Sequence, residues 1–179
     1  MLTVTSDRVG FFQRRLVKHA ESIAPEAARL VTRRFGSLPP VQLVMVGDLN
    51  RWSALTADTE LALVPAASDR IQAAHRRECR RGRRSRYGIT VLGPNGVVIP
   101  INLCKARTET DINETVVHEL THAHQLGNAQ ARAQHIAYLR HCWDVEKLPR
   151  RQVKQYERLI DRREVEAYGA ESLASDLPA

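Results

Sequence analysis

Aromatic residues and cysteines are scarce in this chain. Phenylalanine, tryptophan and tyrosine together make up 5% of its 179 residues, and the three cysteines stand far apart at positions 79, 104 and 142. An odd number of widely spaced cysteines without a C-x-x-C pair argues against both a disulfide framework and a zinc ribbon. The fold must therefore be held together by an ordinary apolar core.

Long apolar runs are also missing. No run approaches the ~20 residues that a membrane-spanning helix needs, and residues 1–10 lack the apolar segment of a secretory signal. These absences predict a cytoplasmic protein with no membrane partner. The length suits one domain over residues 1–179, in which residues 1–86 precede a second part at 87–173. Hydrophobic residues at 43% and charged residues at 26% are ordinary for a globular protein, and the oligomeric state is left open.

Acidic residues are fewer than basic residues, and the formal net charge is +7. The positive excess is concentrated in seven arginines within eleven positions: Arg76, Arg77, Arg80, Arg81, Arg83, Arg84 and Arg86. Such a cluster attracts nucleic-acid phosphates or an acidic partner, although a solvated helix end can have the same composition. Because no aromatic residue interleaves the arginines before Tyr87, a platform that stacks single-stranded bases is not indicated.

The first half of the chain shows helical and strand periodicities. Apolar spacing predicts a helix over residues 6–35, which Pro25 should kink or restart. Residues 41–46 read as a buried strand, and residues 49–67 are left unassigned. A further helix is predicted from Ser68 or Asp69 to about Arg81.

The second half begins with a predicted hairpin. Residues 87–92 and 97–103 are rich in strand formers and flank a Gly-Pro-Asn-Gly turn. Since Pro100 cannot donate a ladder hydrogen bond, strand 97–103 is predicted to lie at a sheet edge. Helices follow, with a capping box formed by Asp111 and Glu114 at the start of the first. The later two helices span about residues 128–142 and 149–173.

The sequence His118-Glu-Leu-Thr-His122 carries the clearest chemical signal. On a helix, His118 and His122 lie one turn apart on the same face, so both imidazoles can reach one metal ion. Glu119 is placed to deprotonate a metal-bound water. Two nitrogen ligands, a third protein ligand and one open position would make a catalytic Zn²⁺ site.

The residues around this motif resemble the zincin metallopeptidases of the gluzincin type. The resemblance covers about residues 88–172 and rests on Val116-Val-His-Glu-Leu-Thr-His-Ala-His-Gln125 and on Glu164-Val-Glu-Ala-Tyr168. It implies an α+β zincin-like fold, with a small mixed sheet whose edge strand lies beside the motif helix. It also implies zinc-dependent hydrolysis of a peptide held on edge strand 97–103. Short zincins without a targeting segment are reminiscent of phage or mobile-element proteins.

In that family the third ligand is a glutamate on a later helix, and this chain offers Glu164 and Glu166. The two lie two residues apart and point in different directions on a helix. Glu164 is preferred because its face is more apolar and because Ala167 would let this helix approach the motif helix. Tyr168, one turn beyond, is a candidate for stabilising the oxyanion, or a packing residue.

Two alternatives stay open. His135 follows His122 at a spacing similar to that of SprT-type proteases, which act on DNA-associated protein, although the glycine expected after that histidine is absent. The chain could also be a non-catalytic zinc-containing module that binds nucleic acid or protein. The metzincin pattern fails, because it requires glycine and histidine where the chain has Gln125 and Asn128.

Overall fold

A four-stranded mixed sheet lies at the centre of the protein. The structure is a computed structural model that describes residues 1–178, so only position 179 of the predicted domain lies outside the described residues. Within residues 1–178 the strands are β1 (Leu2–Asp7), β2 (Val41–Val46), β3 (Val91–Gly93) and β4 (Gly96–Asn102). Their spatial order is β1-β2-β4-β3, with β1, β2 and β4 parallel and β3 antiparallel to β4.

Six α-helices surround this sheet in the same residues. They are α1 (Arg14–Phe35), α2 (Leu49–Leu61), α3 (Asp69–Gly82), α4 (Glu109–Leu126), α5 (Ala129–Cys142) and α6 (Arg150–Ala170). A short 3-10 helix (Glu171–Asp176) continues α6. The predicted α+β class with a small mixed sheet is thereby confirmed. None of the helices in residues 1–178 combines the length and the apolar character needed to cross a membrane.

The central strands β2 and β4 are largely buried on both faces of the sheet, whereas the edge strand β1 has no fully buried residue. Leu43 and Met45 of β2 pack into the main core with α1 and α4, whereas Val44 and Val46 pack with Trp52 of α2. This alternation follows from the two-residue period of a strand, and a parallel sheet covered on both faces explains why β2 is apolar at nearly every position. The three cysteines are unpaired.

The prediction that strand 97–103 lies at a sheet edge is wrong, because β4 lies between β2 and β3. The amides of Val97 and Leu103 donate to carbonyls on the β2 side, so the alternation of the strand turns the Pro100 nitrogen towards β3. There β3 already stops pairing at Val98, and the Trp52 indole donates to the Pro100 carbonyl at 2.9 Å. The proline therefore sits in a gap of the ladder, and the edge on this side is β3.

The helix predicted over residues 6–35 is also partly wrong. Residues 2–7 form β1, which pairs with β2, and α1 begins only at Arg14. Helix α1 continues through Pro25 without a restart. Pro25 is exposed, so the carbonyl that loses its helical donor can bind water, while the buried stripe that includes Ile23, Ala24 and Ala27 runs on past it.

Most of the remaining helices and strands lie where the sequence predicted them. The predictions of strand 41–46, a helix capped by Ser68, and two late helices are confirmed, although the first strand of the hairpin is shorter than predicted. The unassigned residues 49–67 contain α2, which begins after Asp48, whose carboxylate accepts from the Arg51 amide at 2.7 Å.

Helix α4, which carries the histidines, begins one turn earlier than predicted. Thr108 is its N-cap and accepts from the Asp111 amide at 3.0 Å, while the Asp111 carboxylate accepts from the amides of Thr108 and Arg107. Burial raises the pKa of Asp111, but these hydrogen bonds outweigh it and bring the pKa below its ordinary value. The capping box thus pairs Thr108 with Asp111, and the predicted pairing of Asp111 with Glu114 is wrong.

We expect Thr108→Ala to lower the free energy of unfolding by about 1 kcal/mol, because it leaves an amide of the first turn without its acceptor. Urea denaturation followed by circular dichroism measures the change. Thr110→Ala is the matched control, since Thr110 is exposed on the same turn. Equal stabilities of the two variants would show that the cap contributes nothing measurable.

Candidate metal centre

Helix α4 places the two histidines of the motif side by side. Each side chain is 14% exposed, and the two Nε2 atoms lie 3.1 Å apart. Helix α6 packs against α4 and brings the Glu164 carboxylate to the same point, with Oε1 3.5 Å from His122 Nε2 and Oε2 3.8 Å from His118 Nε2. Ligands about 2.0–2.1 Å from a tetrahedral zinc ion are about 3.3–3.4 Å apart, so these separations suit one shared metal ion.

The outer nitrogens of both rings have acceptors. His118 Nδ1 lies 2.8 Å from Glu171 Oε1, and His122 Nδ1 lies 2.8 Å from Gln125 Oε1. The orientation of the Gln125 amide is fixed because its Nε2 donates to Glu166 and to the Arg163 carbonyl. Since carboxylate and amide oxygens only accept, we infer that both Nδ1 atoms carry hydrogen. In the neutral rings both Nε2 atoms therefore present lone pairs to the shared point.

Two lone pairs and a carboxylate repel one another at this distance unless a cation lies between them. The pKa values of His122 and Glu164 reflect the same close approach of a carboxylate to an imidazole. Burial lowers the pKa of His122, but the facing Glu164 carboxylate, Glu119 and Gln125 outweigh burial and raise it. The facing His122 ring brings the pKa of Glu164 below its ordinary value, against the effect of burial. The arrangement is thus electrostatically suited to a positive ion.

Glu119 lies in a buried position next to this group. Burial raises its pKa, and the raised value persists although His122, Thr90 and His118 act against it. The Thr90 hydroxyl lies 2.7 Å from Glu119 Oε2 and holds that oxygen in place. Gly88 allows the backbone to approach, because a Cβ there would lie 2.8 Å from Thr115 Cγ2 and 3.1 Å from Glu119 Oε1. The carboxyl group is therefore held in a fixed, buried position beside the two histidines.

A cleft opens above the histidines. Its walls are the segment of residues 85–90 on one side and α6 on the other, with α4 as the floor. Tyr168 borders the cleft, with its ring centroid 4.9 Å from that of His118 in an edge-on arrangement, and it is 64% exposed. Its hydroxyl thus has room to approach a molecule bound beside the histidines.

The other predicted ligands lie apart from the group. Glu166 accepts from Gln125 Nε2 at 2.7 Å, so it contacts a partner of His122 instead of the shared point. His135 borders the cleft, but its Nδ1 lies 2.7 Å from the Tyr156 hydroxyl, and burial lowers its pKa. Of the three predicted third ligands, the structure brings only Glu164 to the two histidines. Ligation itself stays a prediction.

Sequence reasoning missed the residues that orient the two histidines. Glu171 and Gln125 hold the two imidazoles, and Arg163 and Gln125 exchange hydrogen bonds with each other's backbone carbonyls, which fixes the register of α6 on α4. One signal was available for Glu171. It follows Glu164 by two helical turns, so both carboxylates fall on the same face.

The arginine cluster leads to the rim of the cleft. Five of its seven side chains are exposed, namely Arg77, Arg80, Arg81, Arg84 and Arg86. Arg76 pairs with Asp58, and Arg83 donates to the Asn50 side chain. Arg86 borders the cleft itself. Binding of nucleic acid or of an acidic partner by these arginines stays a prediction.

No protein-family model, curated protein or solved structure matches this chain. The case for a metal centre therefore depends on its own residues.

We expect Glu171→Ala to weaken zinc binding roughly 10- to 100-fold, because residues that orient a ligand histidine typically contribute that much. Glu171→Gln should lose less, since its carbonyl can still accept from His118 Nδ1. Competition with a chelating dye measures the affinity. Asp176→Asn removes a charge from an exposed position of the same 3-10 helix and serves as the control. An unchanged affinity in Glu171→Ala would contradict this role.

Proposed function

We propose that the protein is a zinc-dependent metallopeptidase of the zincin type. The observation that carries the proposal is the convergence of two imidazole nitrogens and the Glu164 carboxylate at separations that suit a tetrahedral ion. A buried carboxyl group, Glu119, lies next to this group on the same helix. Three protein ligands with an open fourth position distinguish a catalytic zinc site from a closed structural one.

The donor set favours zinc over other common metal ions. Imidazole nitrogens suit zinc and related transition metals, whereas Mg²⁺ and Ca²⁺ prefer oxygen ligands throughout. His118, His122 and Glu164 would hold the ion. Bound zinc would lower the pKa of a water molecule to about 7 and polarise a peptide carbonyl.

The protein's own residues supply the remaining chemistry. Glu119 accepts a proton from the attacking water and delivers it to the departing amine. Its buried position next to His118 and His122 on α4 places it to make both transfers. Thr90 keeps one carboxyl oxygen in place, so the other is free to face the water. Tyr168, beside His118, is the proposed donor to the oxyanion.

The substrate position must differ from the one that the resemblance implied. Strand β4 is paired on both sides and cannot receive a peptide along residues 97–103. The segment that borders the cleft is 85–90, which leads directly into the edge strand β3. We propose that an extended peptide lies along residues 88–90, which are partly exposed and border the cleft, so that their backbone groups can pair with it.

We expect Glu119→Gln to retain zinc and to lower peptide hydrolysis about 10²- to 10⁴-fold, since it removes the group that transfers protons. A proteome-derived peptide mixture is the probe, and new termini are counted by mass spectrometry. Glu157→Gln makes the same chemical change at an exposed position of α6 and should leave hydrolysis unchanged. Normal turnover by Glu119→Gln would remove Glu119 as the base. A wild-type protein that holds zinc but produces no new termini would support a binding module instead.

The third ligand is tested by comparing two neighbouring glutamates. Glu164→Ala should weaken zinc binding by more than roughly 100-fold, beyond the range for outer residues, whereas Glu166→Ala should stay within that range. Zinc retained after dialysis is measured by atomic emission. Equal retention in the two variants would leave Glu164 without support. Loss of zinc in His135→Ala alone would favour the SprT-like ligand set.

A further inference from the structure

A second group of metal-binding side chains lies where α2 meets α3, outside the cleft. Glu60 Oε2 lies 2.8 Å from His75 Nε2, and Cys79 Sγ lies 3.6 Å from the same nitrogen. All three ligand atoms lie within 4.8 Å of one another. We propose that Glu60, His75 and Cys79 form a second zinc site, which binds the metal independently of the His118 centre.

The local sequence explains why these side chains meet. His75 and Cys79 are four residues apart on α3, which places them one turn apart on one face, the same spacing as His118 and His122. Glu60 lies in the last turn of α2, which packs against α3. The Glu60 and His75 side chains are only 14% and 12% exposed, so both groups are held away from bulk water.

The donor set and its geometry fit zinc. A thiolate, an imidazole and a carboxylate are three of the ligand types that zinc accepts in proteins, and the thiolate argues against Mg²⁺ and Ca²⁺. A nitrogen and a sulfur bound to one tetrahedral zinc ion are about 3.6 Å apart, which is the separation of His75 Nε2 and Cys79 Sγ. The carboxylate needs to withdraw by only about 0.5 Å from His75 to reach the corresponding nitrogen–oxygen spacing.

The position of the site suggests what the metal does there. Helix α3 buries none of its side chains completely. Its attachment includes Ile71, the Arg76–Asp58 ion pair and the His75 ring, which lies 4.9 Å from the Trp143 ring in a small apolar cluster. A zinc ion bound between Glu60, His75 and Cys79 would tie α3 to α2, and would thereby fix the arginine-bearing helix to the rest of the protein.

Cobalt distinguishes the two sites. The His118 centre contains only nitrogen and oxygen donors, so a sulfur-to-cobalt charge-transfer band in the near ultraviolet reports the second site alone. After metal removal with a chelator, the full-length protein is titrated with Co²⁺. We expect two equivalents to bind and the band to appear, and we expect added Zn²⁺ to bleach it as zinc takes the same position.

The variants separate this proposal from the proposed peptidase. Cys79→Ser, which is close to isosteric, should lose the band and one equivalent of cobalt while its circular dichroism stays unchanged. Cys142→Ser, which removes an exposed thiol, should keep both. The double variant of His118→Ala and His122→Ala should lose one equivalent but keep the band, whether or not the protein is a peptidase. A band that persists in Cys79→Ser, or no band with saturating cobalt, overturns the second site.

Discussion

Two imidazole nitrogens 3.1 Å apart, each with its lone pair turned inward, are stable only with a positive charge between them. The inward direction of the two lone pairs depends on residues other than the histidines. Glu171 and Gln125 hold the hydrogen of each ring on the outer nitrogen, and Glu164 adds a negative charge from α6. The packing of the rest of the structure keeps α6 and the 3-10 helix in contact with α4.

Two features secure that placement. The buried stripe of α4 packs with α1 on one face of the sheet, so the helix that carries the histidines is fixed by the main core. The reciprocal hydrogen bonds between Gln125 and Arg163 then set the register of α6. A slip of one residue would turn Glu164 away by about 100°, because an α-helix has 3.6 residues per turn. The affinity of the proposed site for a metal would therefore depend on hydrogen bonds between residues that are not themselves proposed ligands.

Local rules predicted more of the helices than of the sheet. Ser68 and Asn128 cap the helices that they were expected to begin, and the motif helix follows from its periodicity, although its N-cap is Thr108 and not Asp111. The position of β4 could not be read from Pro100, because the rule for proline concerns one side of a ladder and does not say which strands are neighbours. Strand β1 is as long as β2, but Leu2 and Val4 are its only apolar residues, so it gives no apolar run that would mark it as a strand. Similarly, Glu164 and Glu171 come from the far end of the chain, and only the packing of α6 and the 3-10 helix against α4 brings them to the histidines.

The indole that fills the ladder gap at Pro100 makes the protein convenient to follow in solution. The chain has two tryptophans. Trp52 is buried between the sheet and α2, whereas Trp143 packs beside His75 in the smaller apolar cluster. Each of the two therefore provides fluorescence from a different region. Emission from single-tryptophan forms would separate loosening of the Trp143 cluster, against which Ile71 of α3 packs, from melting of the sheet that buries Trp52, without any added label.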